Sequence, residues 1–241
     1  MNILKSIAND IYKTQLNGQI QKELNKPSHT LPLSDGFKVI KIIKNESEKG
    51  VYVISKDKER RIAKITPLHE IGNEIEVIEK LGKLELAPKI YKSEVITTYG
   101  TDKAYYEMEM MTGTVDELLT RRLIEKDLNI ILNMIMTLLE RLCKEGFSHG
   151  DFHWRNIGFD YSKDRDSLTV KVLDLEFSEF KCNEQLDIVQ LIRTIDKRYS
   201  PSVENNNREY IRNKLIEFYN SKFQTELTKD KVEEEFKRLG K

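Results

Sequence analysis

Two cysteines, Cys143 and Cys182, are all that 241 residues contain. That is too few for a disulfide framework, and they lack the spacing of a zinc ribbon, so a reducing compartment is expected. Net charge is missing too, because forty basic residues balance forty acidic ones. With no global field to draw nucleic acid or an anionic membrane, no direct nucleic-acid binding is expected. No apolar run approaches the roughly 20 residues of a transmembrane helix. Met1-Asn2-Ile3-Leu4-Lys5 opens amphipathically, without the continuous apolar core of a secretory signal. Together these absences point to a soluble, cytoplasmic protein without a membrane segment.

What is present is a chain with 39% hydrophobic and 33% charged residues, enough for one good core or two small lobes. Ile3, Leu4, Ile7, Ile11, Leu16, Ile20 and Leu24 recur at mostly helical spacing and predict one or two short helices before Asn25-Lys26-Pro27-Ser28. Their narrow stripe suits packing within the protein, with a docking partner as the alternative. A strand-rich block follows, at Phe37 to Ile43, Val51 to Ser55 and Arg61 to Ile65. Thr66-Pro67 begins a helix with Ile71, Ile75, Ile78 and Leu81 on one face, and two more strands run Lys89 to Val95 and Ala104 to Met110. From Thr112-Gly113-Thr114 the chain turns helical. Val115 to Leu123 forms a short helix that Thr114 could cap, and Leu128 to Cys143 a long apolar one. A polar loop at 148–156, a hairpin of Ile157–Asp160 and Leu168–Leu173, and helices over 184–198, 206–222 and 229–239 complete the pattern. The fold class expected is α+β: a small antiparallel sheet with one main helix, then a reduced and mostly helical half, divided near residue 112.

The loop carries the chemistry. His149-Gly150-Asp151-Phe152-His153-Trp154-Arg155-Asn156 is followed, after the hairpin, by Val170-Lys171-Val172-Leu173-Asp174. This places an Asp, an Asn and a second Asp in one polar cluster between apolar strands. Phosphoryl transfer needs positioning, charge neutralisation and an oriented nucleophile rather than covalent help. Asp151 can accept a hydrogen bond from an acceptor hydroxyl, while Asn156 and Asp174 offer oxygen ligands of the kind magnesium prefers. The plainer reading, a polar turn whose Asp and Asn cap backbone groups, would win for a single loop Asp. It loses to this combination.

The stretch resembles the catalytic loop shared by RIO kinases, the small kinase of the KEOPS tRNA-modification complex, and aminoglycoside and choline kinases. The resemblance runs from about residue 37 to the end and is strongest at 147–176. It implies a two-lobed protein-kinase-like fold, with a helical extension at 1–32, an N-lobe at 33–111 and a C-lobe at 112–241. It also implies ATP as donor and Mg2+ as cofactor. Lys64 matches the strand lysine that contacts the α- and β-phosphates, and Glu74 the helix glutamate that pairs with it, with Glu70 and Glu76 as competitors. Tyr106 to Gly113 is similar to the hinge past the adenine, with Met108 as gatekeeper and the backbone of Glu109 and Met111 toward the base. Gly50 closes the phosphate-covering loop, and Asp187 matches an aspartate that braces the catalytic loop. His149 is read as a structural imidazole; a zinc site with His153 lacks a third ligand.

Three departures qualify what the resemblance implies. The loop Lys44 to Gly50 holds one glycine rather than a series, and its acidic residues would repel phosphate if they pointed inward. The metal motif reads Asp174-Leu175-Glu176, similar to aminoglycoside and choline kinases. Gly150 stands where many protein kinases have the arginine that reads activation-loop phosphorylation, so no such switch is expected. Thirteen positions separate Asp174 from Asp187, too few for a long activation segment. The expected activity is an ATP- and magnesium-dependent kinase acting on a serine or threonine hydroxyl of a protein substrate. A small-molecule acceptor, or a nucleotide-binding scaffold docked through the N-terminal helices, are the alternatives.

Overall fold

The computed structural model describes residues 4, 6–8, 10–11, 31–46, 48–71, 73–98, 100–162, 167–196 and 198–240. It divides into two compact units, one spanning Lys13–Met111 and the other Thr112–Lys241 together with the first twelve residues. Of the N-terminal helical expectation, residues 12–30 lie outside the described residues, whereas Leu4, Ser6 to Ala8, Asp10 and Ile11 are helical. Leu4 and Ala8 are buried.

The first unit is a five-stranded sheet of β1 (Lys38–Asn45), β2 (Gly50–Lys56), β3 (Glu59–Pro67), β4 (Ile90–Thr98) and β5 (Thr101–Glu109), in the order β1-β2-β3-β5-β4. Every neighbouring pair is antiparallel. Lys56 pairs with Glu59, so only Asp57 and Lys58 turn the chain, and Asp57 takes the positive φ of 54° that a two-residue hairpin needs. Alternation puts Phe37, Tyr52, Ile54, Ala63, Ile65 and Tyr105 into one buried cluster. Helix α1 (Glu74–Lys83) buries Val77, Ile78 and Leu81 at helical spacing.

That helix starts later than the sequence pattern implies. Pro67 ends β3 opposite Lys103 instead of opening a helix, because the Leu68 N–H still donates to the Asp102 carbonyl and the chain then turns, with the Glu70 N–H on the Pro67 carbonyl. Ile71 is buried, but it precedes the helix.

The second unit contains β6 (Gly113–Thr114), α2 (Val115–Leu119), α3 (Glu125–Lys144), a 3-10 turn at Trp154–Asn156, β7 (Ile157–Ser162) and β8 (Ser167–Val172). Then come α4 (Glu184–Thr194), α5 (Asn205–Phe223), a 3-10 turn at Lys229–Lys231 and α6 (Val232–Leu239). Strand β6, absent from the sequence reading, makes a third strand beside the expected hairpin. Thr114 caps α2 reciprocally with Glu117, as a capping box. Helix α3 turns Leu128, Ile131, Ile135, Leu138, Leu139 and Leu142 inward.

Two helices end short of expectation, and in each case a buried polar side chain of α5 binds the chain that follows. Asn207 donates to Leu119 and Arg121 at 3.0 and 2.6 Å and accepts the Leu123 N–H at 3.2 Å, which ends α2 at Leu119. The Arg208 guanidinium takes the carbonyls of Ile195, Ser200 and Val203, which holds the non-helical chain after α4. A second correction concerns the cysteines. Cys143 and Cys182 form a disulfide, with Cα atoms 4.8 Å apart. The cysteine count therefore loses its force as an argument for a reducing compartment. Among the described residues, no helix is long and apolar enough to cross a membrane.

Candidate functional site

In the helical unit, the loop between α3 and β7 is fixed from three sides. The β7–β8 register sets Ile157 opposite Val172, and the Leu173 N–H donates to the Asn156 carbonyl at 2.8 Å. Asn156 and Asp174 therefore sit at the same end of the hairpin, although 18 positions apart in sequence. The Asn156 side-chain Nδ2 donates to the Asp151 carbonyl at 3.0 Å, which closes the loop on itself.

His149 is the second tie. Its ring Nε2 lies 2.7 Å from the Leu173 carbonyl, and its Nδ1 accepts the Asp151 N–H at 3.3 Å. A carbonyl can only accept and an N–H can only donate, so one neutral tautomer satisfies both contacts. Burial holds its pKa below the usual imidazole value, which keeps the ring neutral. Both ring nitrogens are committed to the loop, so the imidazole braces rather than reacts.

The third tie is α4, capped by the Asn183 side chain. The Asp187 carboxylate accepts the N–H groups of His149 and Gly150 at 3.1 and 3.3 Å. Desolvation raises its pKa to about 7 in spite of those two donors. One turn on, Gln190 Nε2 donates to Asp151 Oδ1 at 2.7 Å. Trp154, fully buried, donates from Nε1 to the Leu191 carbonyl at 3.1 Å.

Within this frame the Asp151 side chain stays 36% exposed, with His153 Nε2 3.4 Å from its Oδ2. The His153 contact is the main reason its pKa lies below the ordinary carboxylate value. Gly150 adopts φ +77°, and a Cβ there would collide with the Phe177 carbonyl. No arginine fits at that position. Asp174 is exposed at φ +56°, a left-handed conformation uncommon outside glycine and the kind of strain that gathers at functional sites.

The segment from Asp174 to α4 is pinned. Ser148 and Glu179 exchange backbone hydrogen bonds at 3.1 Å in each direction, and Cys182 is bonded to Cys143 on α3.

The sheet unit holds the other candidates. On β3, Lys64 Nζ reaches the two carboxylate oxygens of Glu74 at 2.8 and 3.1 Å, and that carboxylate is 1% exposed. The competing glutamates go elsewhere: Glu70 pairs with Lys49, and Glu76 is exposed. The acidic residues that could have repelled phosphate, Glu46 and Glu48, are both exposed, and Glu46 pairs with Lys44 at 3.2 Å. Gly50 opens β2, where a Cβ would strike the Tyr52 ring, so packing within the sheet already requires the glycine. Met108 sits on β5 opposite Ile62 of β3 and Ile90 of β4. The Glu109 N–H is spent on the Lys89 carbonyl at 2.8 Å, so the backbone group it can offer a base is its carbonyl. Met111, just after β5, is buried.

The residues fit a divalent cation by donor type. With Nδ2 committed to Asp151, the Asn156 amide has its carbonyl oxygen to give, beside the exposed carboxylate of Asp174. Among the described residues no group of three or more His, Cys, Asp or Glu side chains is arranged for a metal. A cation held by Asn156 and Asp174 would thus complete its shell from phosphate oxygens and water, as magnesium does.

Sequence reasoning missed Gln190. Nothing in its residue type marks it; its place one turn after Asp187, on the face α4 turns to the loop, is the signal that could have found it.

No protein-family model and no curated protein matches the chain. Among solved structures it is similar to the kinase PK-1 of the Cydia pomonella granulovirus, at 20% identity and a TM-score of 0.46. The match covers 60% of this chain and 52% of that one, so the chain spans about half of that kinase's length.

Proposed function

We propose that the chain is an ATP- and magnesium-dependent phosphotransferase of protein-kinase-like fold, acting on serine or threonine hydroxyls of a protein. What supports the reading is the closed loop 149–156: the Asn156 amide donates to the Asp151 carbonyl, the Asn156 carbonyl accepts the Leu173 N–H just before Asp174, and the Asp151 side chain stays 36% exposed.

In this reading Asp151 accepts the hydrogen bond of the incoming hydroxyl and aims its oxygen at the phosphorus. A carboxylate whose pKa is depressed is a poor base at neutral pH, far from the matched value that general-base catalysis favours. Its contribution is therefore orientation, with the proton passing to it late, as suits a loose transition state. Asn156 and Asp174 would hold the magnesium, whose charge would offset that of the phosphates. Lys64, held by Glu74 at 2.8 Å, binds the α- and β-phosphates. Glu109 and Met111 present backbone groups to the adenine beside Met108, and Gly50 closes the loop over the phosphates. The protein acceptor rests on the short, pinned segment between Asp174 and α4, which leaves little chain to enclose a small molecule.

The test is transfer from γ-labelled ATP with magnesium, comparing the wild type with Asp151→Asn. Label on protein in the wild type alone supports the reading. Label on hydroxylated small molecules instead makes the chain a small-molecule kinase. Nucleotide binding with no transfer to any acceptor would leave a scaffold that docks in a complex.

A further inference from the structure

The structure assigns Gln190 a role that rests on the phosphotransferase reading: it is the positioning residue that fixes the Asp151 carboxylate, so that Oδ1 is occupied and Oδ2 faces the acceptor hydroxyl.

Gln190 is 5% exposed on α4, and its Nε2 donates to Asp151 Oδ1 at 2.7 Å. The same amide leaves its Oε1 buried with no hydrogen-bond partner. A buried carbonyl without a partner costs free energy, and such groups call for a reason. A leucine would fill the same space without that cost, so the position favours an amide for what its N–H does. The carboxylate it touches can only accept, which fixes the amide orientation unambiguously.

The neighbouring contacts make the assignment specific. Helix α4 also holds the His149 and Gly150 amides through Asp187, and takes the Trp154 indole N–H at the Leu191 carbonyl. These fix the backbone of the loop. They do not hold the Asp151 side chain, whose two torsions are set by the buried Gln190 at Oδ1 and by the more exposed His153 at Oδ2. The other oxygen lies 3.4 Å from Nε2 of the 28% exposed His153, so with Oδ1 taken by a buried amide it is the one left for an acceptor hydroxyl. A reacting group displaced by about 1 Å can lose on the order of 10²-fold in rate, so rotameric control of this carboxylate matters for transfer.

The variants are Gln190→Leu, which keeps volume and removes the donor, and Gln190→Glu, which sets a second carboxylate against Asp151. Each is measured for kcat, for affinity toward magnesium·ATP, for thermal unfolding, and for the Asp151 side-chain conformation in a crystal structure. For Gln190→Leu, kcat falls about ten- to a hundredfold with nucleotide affinity and unfolding temperature unchanged, and Asp151 adopts more than one rotamer. Gln190→Glu loses at least as much. An unchanged kcat, or a loss that tracks the amount of unfolded protein, overturns the assignment. If the wild type transfers phosphate to nothing, the functional reading is what fails. The part played by Gln190 is then decided by the crystal structure, where a single wild-type rotamer of Asp151 in Gln190→Leu overturns it.

Discussion

The two units solve the same problem, holding a carboxylate in a chosen place, by opposite means. In the sheet unit the Glu74 carboxylate, 1% exposed, is held against Lys64 Nζ by charge at 2.8 Å. In the helical unit the equally buried Asp187 meets two backbone N–H groups, and its pKa rises where one would fall beside a cation. An ion pair concentrates its energy in one contact and one lysine. A hydrogen-bonded web spreads it over Asp187, His149, Gln190, Asn156 and Trp154, and so fixes a geometry instead of a charge. The sheet unit should therefore be fragile to one substitution in stability, and the helical unit tolerant in stability but sharp in activity.

The largest effect tests the second half of that contrast. Asp151→Asn keeps shape and can still accept from Gln190, yet lacks the anionic oxygen that orients the hydroxyl. Transfer from ATP should fall about 10²- to 10⁴-fold, with the unfolding temperature nearly unchanged. A fall in stability that matches the fall in activity would break the comparison.

Lys64 tests the first half. Lys64→Met removes one partner of a buried pair, and urea unfolding should show a loss of about 3–5 kcal/mol alongside the loss of transfer. The double variant Lys64→Met/Glu74→Leu should recover much of that stability and none of the activity. Recovery is the telling outcome, because it separates the energy of the pair from the function of the lysine.

How much of this was legible in the sequence follows the same divide. The strands, the α+β division and the place of the polar loop were readable, because alternation and the loop motif are local signals. Lys64 and Glu74 were readable only through resemblance, since they stand ten positions apart with a turn between them. What stayed hidden depends on long-range contacts. The early end of α2 is set by Asn207, more than eighty residues away, and the chain after α4 is held by Arg208. Gln190 reaches Asp151 across 39 positions, and Cys143 reaches Cys182 across the same separation. Strand β6 forms only because Gly113 and Thr114 meet Phe159 and Gly158.

The Asp187 web has a pH signature of its own. With a folded pKa of about 7 against an ordinary 3.8, the folded protein binds more protons than the unfolded chain between those values. Stability from this group is thus fully present below about pH 4 and is lost as pH rises through 7, by up to about 4 kcal/mol. His149 works the other way, because its lowered pKa makes the fold lose stability as pH falls below about 6.5. Comparing wild type with Asp187→Asn by urea unfolding from pH 4 to 7 cancels the histidine. The wild type should lose ground relative to the variant as pH rises, and a parallel pair of curves would refute the shift.

The smallest effect concerns the one covalent tie in the helical unit. Cys143 ends α3 just before the loop, and Cys182 lies just before α4, so the disulfide closes a span of 39 residues around Asp151, Asn156 and Asp174. Closing such a loop restricts the unfolded chain, and reduction should lower stability by about 2–4 kcal/mol. The hydrogen-bonded web does not pass through either sulfur, so transfer at temperatures well below unfolding should survive reduction. The check is urea unfolding and transfer with and without dithiothreitol, beside Cys143→Ser/Cys182→Ser, whose stability should not respond to the reductant. Activity that disappears on reduction, while the fold persists, would mean that the bond and not the web positions the loop.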